Sequence, residues 1–224
     1  MPEDQWSSVD HYLSDLIVRP DAALEAALIA STAAGLPQIS VSAPQGKQLM
    51  LLALMQDARR ILEIGTLGGY STIWLARALP PGGRLVTLEV DARHAEVALA
   101  NIEHAGLSSV VELRFGPALA TLPRLVAEGS GPFDFIFIDA DKPGIPDYFA
   151  WSLKLARRGS VIVVDNVIRK GAVIDATSSD ENVQGVRRFN EMLAVESRVS
   201  ATVIQTVGAK GYDGYAMVVV VADL

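Results

Sequence analysis

The chain has 224 residues, half of them hydrophobic, with 26 acidic and 19 basic side chains and a formal net charge of −7. That length suits one compact domain with a full core, and the acidic balance argues against DNA or RNA, which require a clustered basic face. Cysteine is absent, which excludes disulfides, a thiolate metal site and a cysteine nucleophile.

The start, Met1-Pro-Glu-Asp-Gln-Trp, is polar and acidic, unlike a signal peptide. The longest apolar run, Tyr215 to Ala222, has eight residues, against the roughly 20 that span a bilayer. The expectation is a soluble, cytoplasmic protein with no membrane partner. Before residue 60 the pattern is helical. Residues 21–34 are Ala-rich, and 44–58 follow Ser42-Ala-Pro-Gln45, an S-x-x-Q capping box with Pro in the first turn. These helices are expected to cover one end of a sheet.

From residue 60 two patterns alternate. Short β-branched runs at 60–64, 84–90, 110–115, 133–138 and 160–164 read as strands buried on both faces. Helical patterns lie between them at 71–79, 92–105, 117–128 and 145–156. Strands alternating with helices mean βαβ units and a doubly wound, mostly parallel α/β sheet. The end breaks this rhythm: a helix at 181–195, a strand at 198–207, a Gly/Asp turn at 211–214 and a strand at 215–221 predict a C-terminal antiparallel hairpin. Without repeats or linkers, the organisation expected is one domain over 1–224, a helical cap at 1–58 on a core at 59–224.

Glu63-Ile-Gly65-Thr-Leu-Gly68-Gly69-Tyr70-Ser71 joins the first strand to its helix. Glycines there let the backbone approach a ligand closely, at the switch point where ligands bind in such sheets. Glu89 ends the second strand 24 residues after Gly65, where a carboxylate can accept from ribose hydroxyls. A nicotinamide dinucleotide also uses such a loop and acid, but G-x-x-G-G does not meet the G-x-G-x-x-G fingerprint. A plain tight turn is the third reading.

I-L-E-I-G-T-L-G-G-Y-S-T followed by L-E-V-D resembles the S-adenosylmethionine motif of class I methyltransferases, and more narrowly the cation-dependent catechol and caffeoyl-CoA O-methyltransferase family. The likeness runs from G-L-P-Q-I-S-V-S (35–42) through V-R-R-F-N-E (186–191) to D-G-Y-A (213–216), taken as the hairpin turn. It implies a seven-stranded, Rossmann-like sheet and several cofactor contacts. Val41 would pass the cofactor; Glu63 and Gly65 would lie at its methionine end, with Ser71 near the carboxylate. Glu89 would bind the ribose, and Gly116, Pro117 and Ala118 would flank the adenine. The resemblance also implies a homodimer.

Two further strands end in acids: Asp139, within Asp139-Ala-Asp141-Lys142, and Asp165, followed by Asn166. Neighbouring parallel strands bring such acids together at one rim, where they would repel unless a cation lay between them. Asp139, Asp165 and Asn166 offer only oxygen, the donor for hard cations, so Mg²⁺, Mn²⁺ or Ca²⁺ fits better than zinc. One strand-end acid alone would as readily cap a turn; the pair with Asn166 and Lys142 matches the family's D-A-D-K and D-N motifs. His11, His94 and His104 sit away from the strand ends, and His94 and His104 read as exposed helix positions.

The resemblance implies methyl transfer from S-adenosylmethionine to a hydroxyl of a catechol-like aromatic small molecule. Asp139 would serve both cofactor and metal, and Lys142 would take the acceptor proton. Tyr148 and Trp151, with Trp6, Tyr12, Arg169 and Lys170, are candidates to line the acceptor pocket. No basic cluster for a CoA phosphate is evident, which favours a smaller acceptor. An NAD-dependent oxidoreductase and a non-catalytic S-adenosylmethionine-binding module are the alternatives.

Overall fold

The computed structural model describes residues 2–19 and 21–222. Three helices come first: α1 (Pro2–Leu13), which runs into a π-helical turn at Ser14–Val18, α2 (Ala22–Ala33) and α3 (Ala43–Met55). The alternating body follows as β1 (Arg60–Ile64), α4 (Tyr70–Ala76), β2 (Arg84–Glu89), α5 (Ala92–His104), β3 (Val111–Phe115), α6 (Ala118–Ala127), β4 (Phe135–Ile138), α7 (Ile145–Leu155) and β5 (Val161–Asp165). The chain ends with α8 (Glu181–Val195), β6 (Val199–Gly208) and β7 (Gly211–Val220). No helix among the described residues is long and apolar enough to cross a membrane.

The seven strands form one sheet in the order β3-β2-β1-β4-β5-β7-β6. The first five are mutually parallel, and β7 runs antiparallel to both β5 and β6. The expected architecture is present. Alternate residues of the central strands supply two cores, as the two-residue strand period requires. Leu62, Ile64, Ile136, Ile138, Ile162 and Val164 face α6, α7 and α8, while Ile61, Leu85, Phe135, Phe137 and Val163 face α2, α3 and α4. Full burial of each such side chain is worth about 1.5–3 kcal/mol. The N-terminal helices α2 and α3 thus lie on a face of the sheet, held by Leu24, Ala27, Leu49 and Ala53, rather than only across one end.

The hairpin differs from expectation. Gly208 pairs with Gly211, so the turn is Ala209-Lys210, and the D-G-Y-A stretch lies inside β7. Asp213 explains why an Asp-Gly pair sits in a strand. Its Oδ1 accepts from the backbone N–H groups of Ile168, Arg169 and Gly214, each at 3.0 Å, which ties β7 to the loop after β5. At Gly214 a Cβ would stand 2.3 Å from the Ile204 carbonyl oxygen, so the glycine serves close strand packing instead of a turn.

β1 is flanked by β2 on one side and β4 on the other. Chain connections leave β1 in one direction and return to β4 in the other, which opens a crevice at their C-terminal ends. The loops that cross this crevice carry the residues singled out from the sequence.

Candidate active site

A cavity of about 640 Å³ occupies the crevice. Val41, Gly65, Ser71, Glu89, Gly116, Pro117, Ala118 and Asp139 line it, as do Lys142, Tyr148 and Asn166. Residues more than a hundred positions apart in the chain therefore share one wall.

The glycine loop is shaped by what cannot fit. Gly65 has φ +100°, and a Cβ there would stand 2.1 Å from the Asp139 carbonyl oxygen, so any side chain would push β4 away from β1. Gly116 has φ +129° with nothing within 4 Å of its would-be Cβ, which leaves bare backbone at the cavity wall.

Two glutamates support the loop in different ways. Glu89 is buried, and its Oε2 accepts from Thr66 N (3.2 Å) and Leu67 N (2.8 Å), while Oε1 accepts from Val90 N and Asp91 N, both at 2.9 Å. A carboxylate has about four lone-pair positions, so a ribose hydroxyl would share an oxygen with a backbone N–H. Glu63 does not line the cavity. It is fully buried beneath the loop, where Ser71 (2.7 Å), Thr72 (2.5 Å) and Thr87 (2.7 Å) donate hydroxyls to it. The structure places Glu63, expected at the methionine end of the cofactor, at an inward strand position, where it holds the start of α4, and Ser71, which does line the cavity, points its hydroxyl at Glu63. Burial pushes Glu63 up to about 7, against the three hydroxyl bonds that favour its charge.

The acids at the other end converge as their strand positions require. Asp165 ends β5, is 4% exposed and is not among the residues that line the cavity. Burial, then the nearby Asp139 charge, pushes it up to about 7, against Lys142, the Asn166 N–H and Gln45. Asn166 follows with φ +60°, a left-handed conformation that Asn tolerates better than most residues. Lys142, only 8% exposed, donates from Nζ to Asp139 Oδ1 at 2.9 Å. Among the described residues no three His, Asp or Glu side chains are grouped to hold a metal; the oxygen set consists of two carboxylates and an amide.

The acceptor candidates divide. Tyr148 lines the cavity, and its hydroxyl donates to Asp141 Oδ1 at 2.5 Å; burial, with that bond, raises its pKa. Arg169 also lines the cavity, and its buried Nε has no hydrogen-bond partner. Trp151 does not: it packs on the core from α7, with the Lys154 ammonium 4.0 Å from its ring centroid. Trp6, Tyr12 and Lys170 also lie outside the lining. A helix repeats every 3.6 residues, so Trp151, three past Tyr148, shared its apolar stripe but not the end of it that opens on the cavity.

Sequence reasoning missed His94, which lines the cavity with Nδ1 3.7 Å from Glu89 Oε1. Its position in the first turn after Glu89 was the available signal. It also missed Asn182 on α8, which no local pattern marks, and it gave no role to Pro37–Ser40, although these lie within the 35–42 stretch that carries the family likeness.

A family model described as O-methyltransferase matches residues 20–217. A catechol O-methyltransferase of Niastella koreensis is 57% identical over 215 residues, covering 96% of this chain and 97% of that protein. Among solved structures, an O-methyltransferase from Bacillus cereus in complex with SAH superposes with a TM-score of 0.96 at 58% identity, over 97% of this chain and 99% of that one. An O-methyltransferase of Streptomyces achromogenes involved in tomaymycin synthesis, in complex with SAM, gives 0.96 at 56% identity over 99% and 100%.

The buried Glu63 generates a test. Its folded pKa of about 7 lies above the reference 4.5, so between these values the folded state keeps a proton that the unfolded chain has released. The associated stability is full below pH 4.5 and is lost as pH rises through 7. Glu63→Gln removes that dependence. Urea titrations should show the variant gaining on the wild type between pH 5 and 7.5, by up to about 3 kcal/mol, and parallel pH curves would mean Glu63 is ionised throughout.

Proposed function

This chain belongs to the O-methyltransferase family, and we propose that it transfers a methyl group from S-adenosylmethionine to a hydroxyl of a catechol-like aromatic molecule, with a divalent cation held by Asp139, Asp165 and Asn166. One observation carries the reading: a single cavity joins the glycine loop and Glu89 at one end to Asp139, Lys142 and Asn166 at the other. Family membership leaves the oxidoreductase reading without support.

The residues fit both groups. Gly65 and Gly116 keep side chains off the cavity wall, Glu89 offers a carboxylate for ribose hydroxyls, and Pro117 and Ala118 offer a flat, apolar flank for adenine. At the other end two carboxylates lie close enough for Asp139 to raise Asp165, and a hard cation among oxygen donors relieves that repulsion. S-adenosylmethionine supplies a methyl on a positively charged sulfur, and a divalent cation supplies a Lewis acid that acidifies a bound hydroxyl.

The chain's own part is positioning and proton transfer. Asn166 and Asp139 orient the acceptor end of the cavity, and buried walls exclude water that would solvate the attacking oxygen. Lys142 Nζ, held by Asp139, takes the proton of the acceptor hydroxyl when it is present as the free amine. The D-A-D-K turn fixes it there, since Asp141 Oδ2 accepts the Gly144 N–H at 3.0 Å and closes the turn. Among the described residues, Lys142, His94 and Arg169 are the basic side chains of the lining, which favours a small catechol over a CoA ester.

Three outcomes test this. Glu89→Gln should weaken S-adenosylhomocysteine about tenfold or more, since a charge-assisted bond is worth about 1.5–3 kcal/mol; unchanged affinity by calorimetry would remove the ribose role. EDTA should abolish catechol methylation, and Mg²⁺ or Mn²⁺ should restore it, whereas full turnover after exhaustive chelation would make the acids structural. Lys142→Met should lower kcat by about 10²–10⁴ with S-adenosylhomocysteine affinity intact. Raised pH, or an acidic nitrocatechol, should restore part of the rate. A loss confined to KM would make Lys142 a positioning group.

A further inference from the structure

The Ser42–Gln45 capping box closes on one arm only. Gln45 N donates to Ser42 Oγ at 3.3 Å, but the Gln45 carboxamide does not return to the helix start. Its Nε2 donates instead to Asp165 Oδ2 at 2.7 Å, 120 residues along the chain. The other oxygen, Oδ1, accepts the Asn166 N–H at 2.8 Å. With one oxygen held by α3 and the other by its own loop, the carboxylate cannot turn without breaking a bond, and each oxygen keeps a lone pair free.

Gln45 itself has a firm base. The adjacent Gly46 packs against the Trp74 ring, where a Cβ would stand 2.3 Å from Cδ1, and Leu49 and Ala53 bury the same helix in the core. One turn further, Gln48 Nε2 donates to the Tyr215 hydroxyl at 2.5 Å, and Tyr215 is the cross-strand partner of Asp165. Two glutamines of α3 therefore face the end of β5, but only Gln45 bonds the carboxylate. Helix capping does not need this contact, because Ser42 accepts the Gln45 backbone N–H whatever side chain position 45 carries.

We propose that Gln45 is a positioning residue that fixes the plane of the Asp165 carboxylate and so sets how tightly, and how selectively, the Asp139, Asp165 and Asn166 site holds a divalent cation. The inference rests on the reading that these three residues hold such a cation. Groups that hydrogen-bond metal-ligating carboxylates typically change metal affinity about 10–100-fold when removed. Mg²⁺ demands near-ideal octahedral geometry whereas Ca²⁺ tolerates distortion, so a loosened carboxylate costs Mg²⁺ more.

The test is Mn²⁺ binding to the purified chain, followed by electron paramagnetic resonance of free Mn²⁺, with Mg²⁺ and Ca²⁺ as competitors. Gln45→Met should weaken Mn²⁺ about 10–100-fold and shift the competition from Mg²⁺ toward Ca²⁺. Gln48→Met, which loses a similar bond one turn away, should bind as the wild type does. Both variants should still melt cooperatively in EDTA, and their S-adenosylhomocysteine affinity in EDTA should match the wild type. Wild-type Mn²⁺ affinity in Gln45→Met, or an equal loss in Gln48→Met, would overturn the role of Gln45 while leaving the metal site standing. No Mn²⁺ binding by the wild type would overturn the metal site and this inference together.

Discussion

The ends of β1 and β4 meet backbone to backbone. Gly65 lies so close to the Asp139 carbonyl that a single added carbon would overlap it, and the Asp139 N–H donates to the Ile64 carbonyl at 2.9 Å. This contact places the loop after β1 and the acid after β4 in one crevice. Were β4 displaced to admit a side chain at position 65, Asp139 and Lys142 would move away from the Glu89 end, and the cavity would lose its continuity.

Charge is concentrated around that contact, in a place where it is costly. Glu63 is sealed under the loop and Asp165 is buried at the end of β5, and burial lifts both to about 7. Each is retained because it is bonded: Glu63 to three hydroxyls, Asp165 to a carboxamide and a backbone N–H. A buried polar group with all its partners rigidifies its surroundings, whereas one without them destabilises the fold. Here the bonded acids fix the two halves of the site: Glu63 the start of α4, and Asp165 the rim of β5.

The C-terminal hairpin belongs to the same construction. Asp213 in β7 accepts three backbone N–H groups, two of them from the loop that follows Asn166. That loop holds Asn166 and Arg169 in left-handed conformations, which stored contacts must maintain. The antiparallel strand thus supports the Asn166 end of the cavity as well as closing the sheet.

Much of this was legible in the chain alone. The alternation of buried strands and helices, the glycine loop, Glu89 at the end of β2, and the acids at the ends of β4 and β5 all follow from local patterns, because strand period and chain direction decide which residues reach the C-terminal rim. The hairpin turn was misplaced because Asp-Gly is a turn signal by propensity, and only the N–H groups of a distant loop reveal why Asp213 sits in a strand. The surroundings of Trp151, Glu63 and His94 were not legible for a related reason: sequence periodicity shows that a position faces inward or outward, but not which cavity, core or carboxylate it meets there. Gln45 shows the limit most clearly. Its spacing from Ser42 made it half of a capping box, and the fold gave its carboxamide a stronger partner, a buried carboxylate brought within 2.7 Å from 120 residues away. Local sequence decides what a side chain can bond; the tertiary structure decides which of its possible partners is near enough, and charged enough, to win.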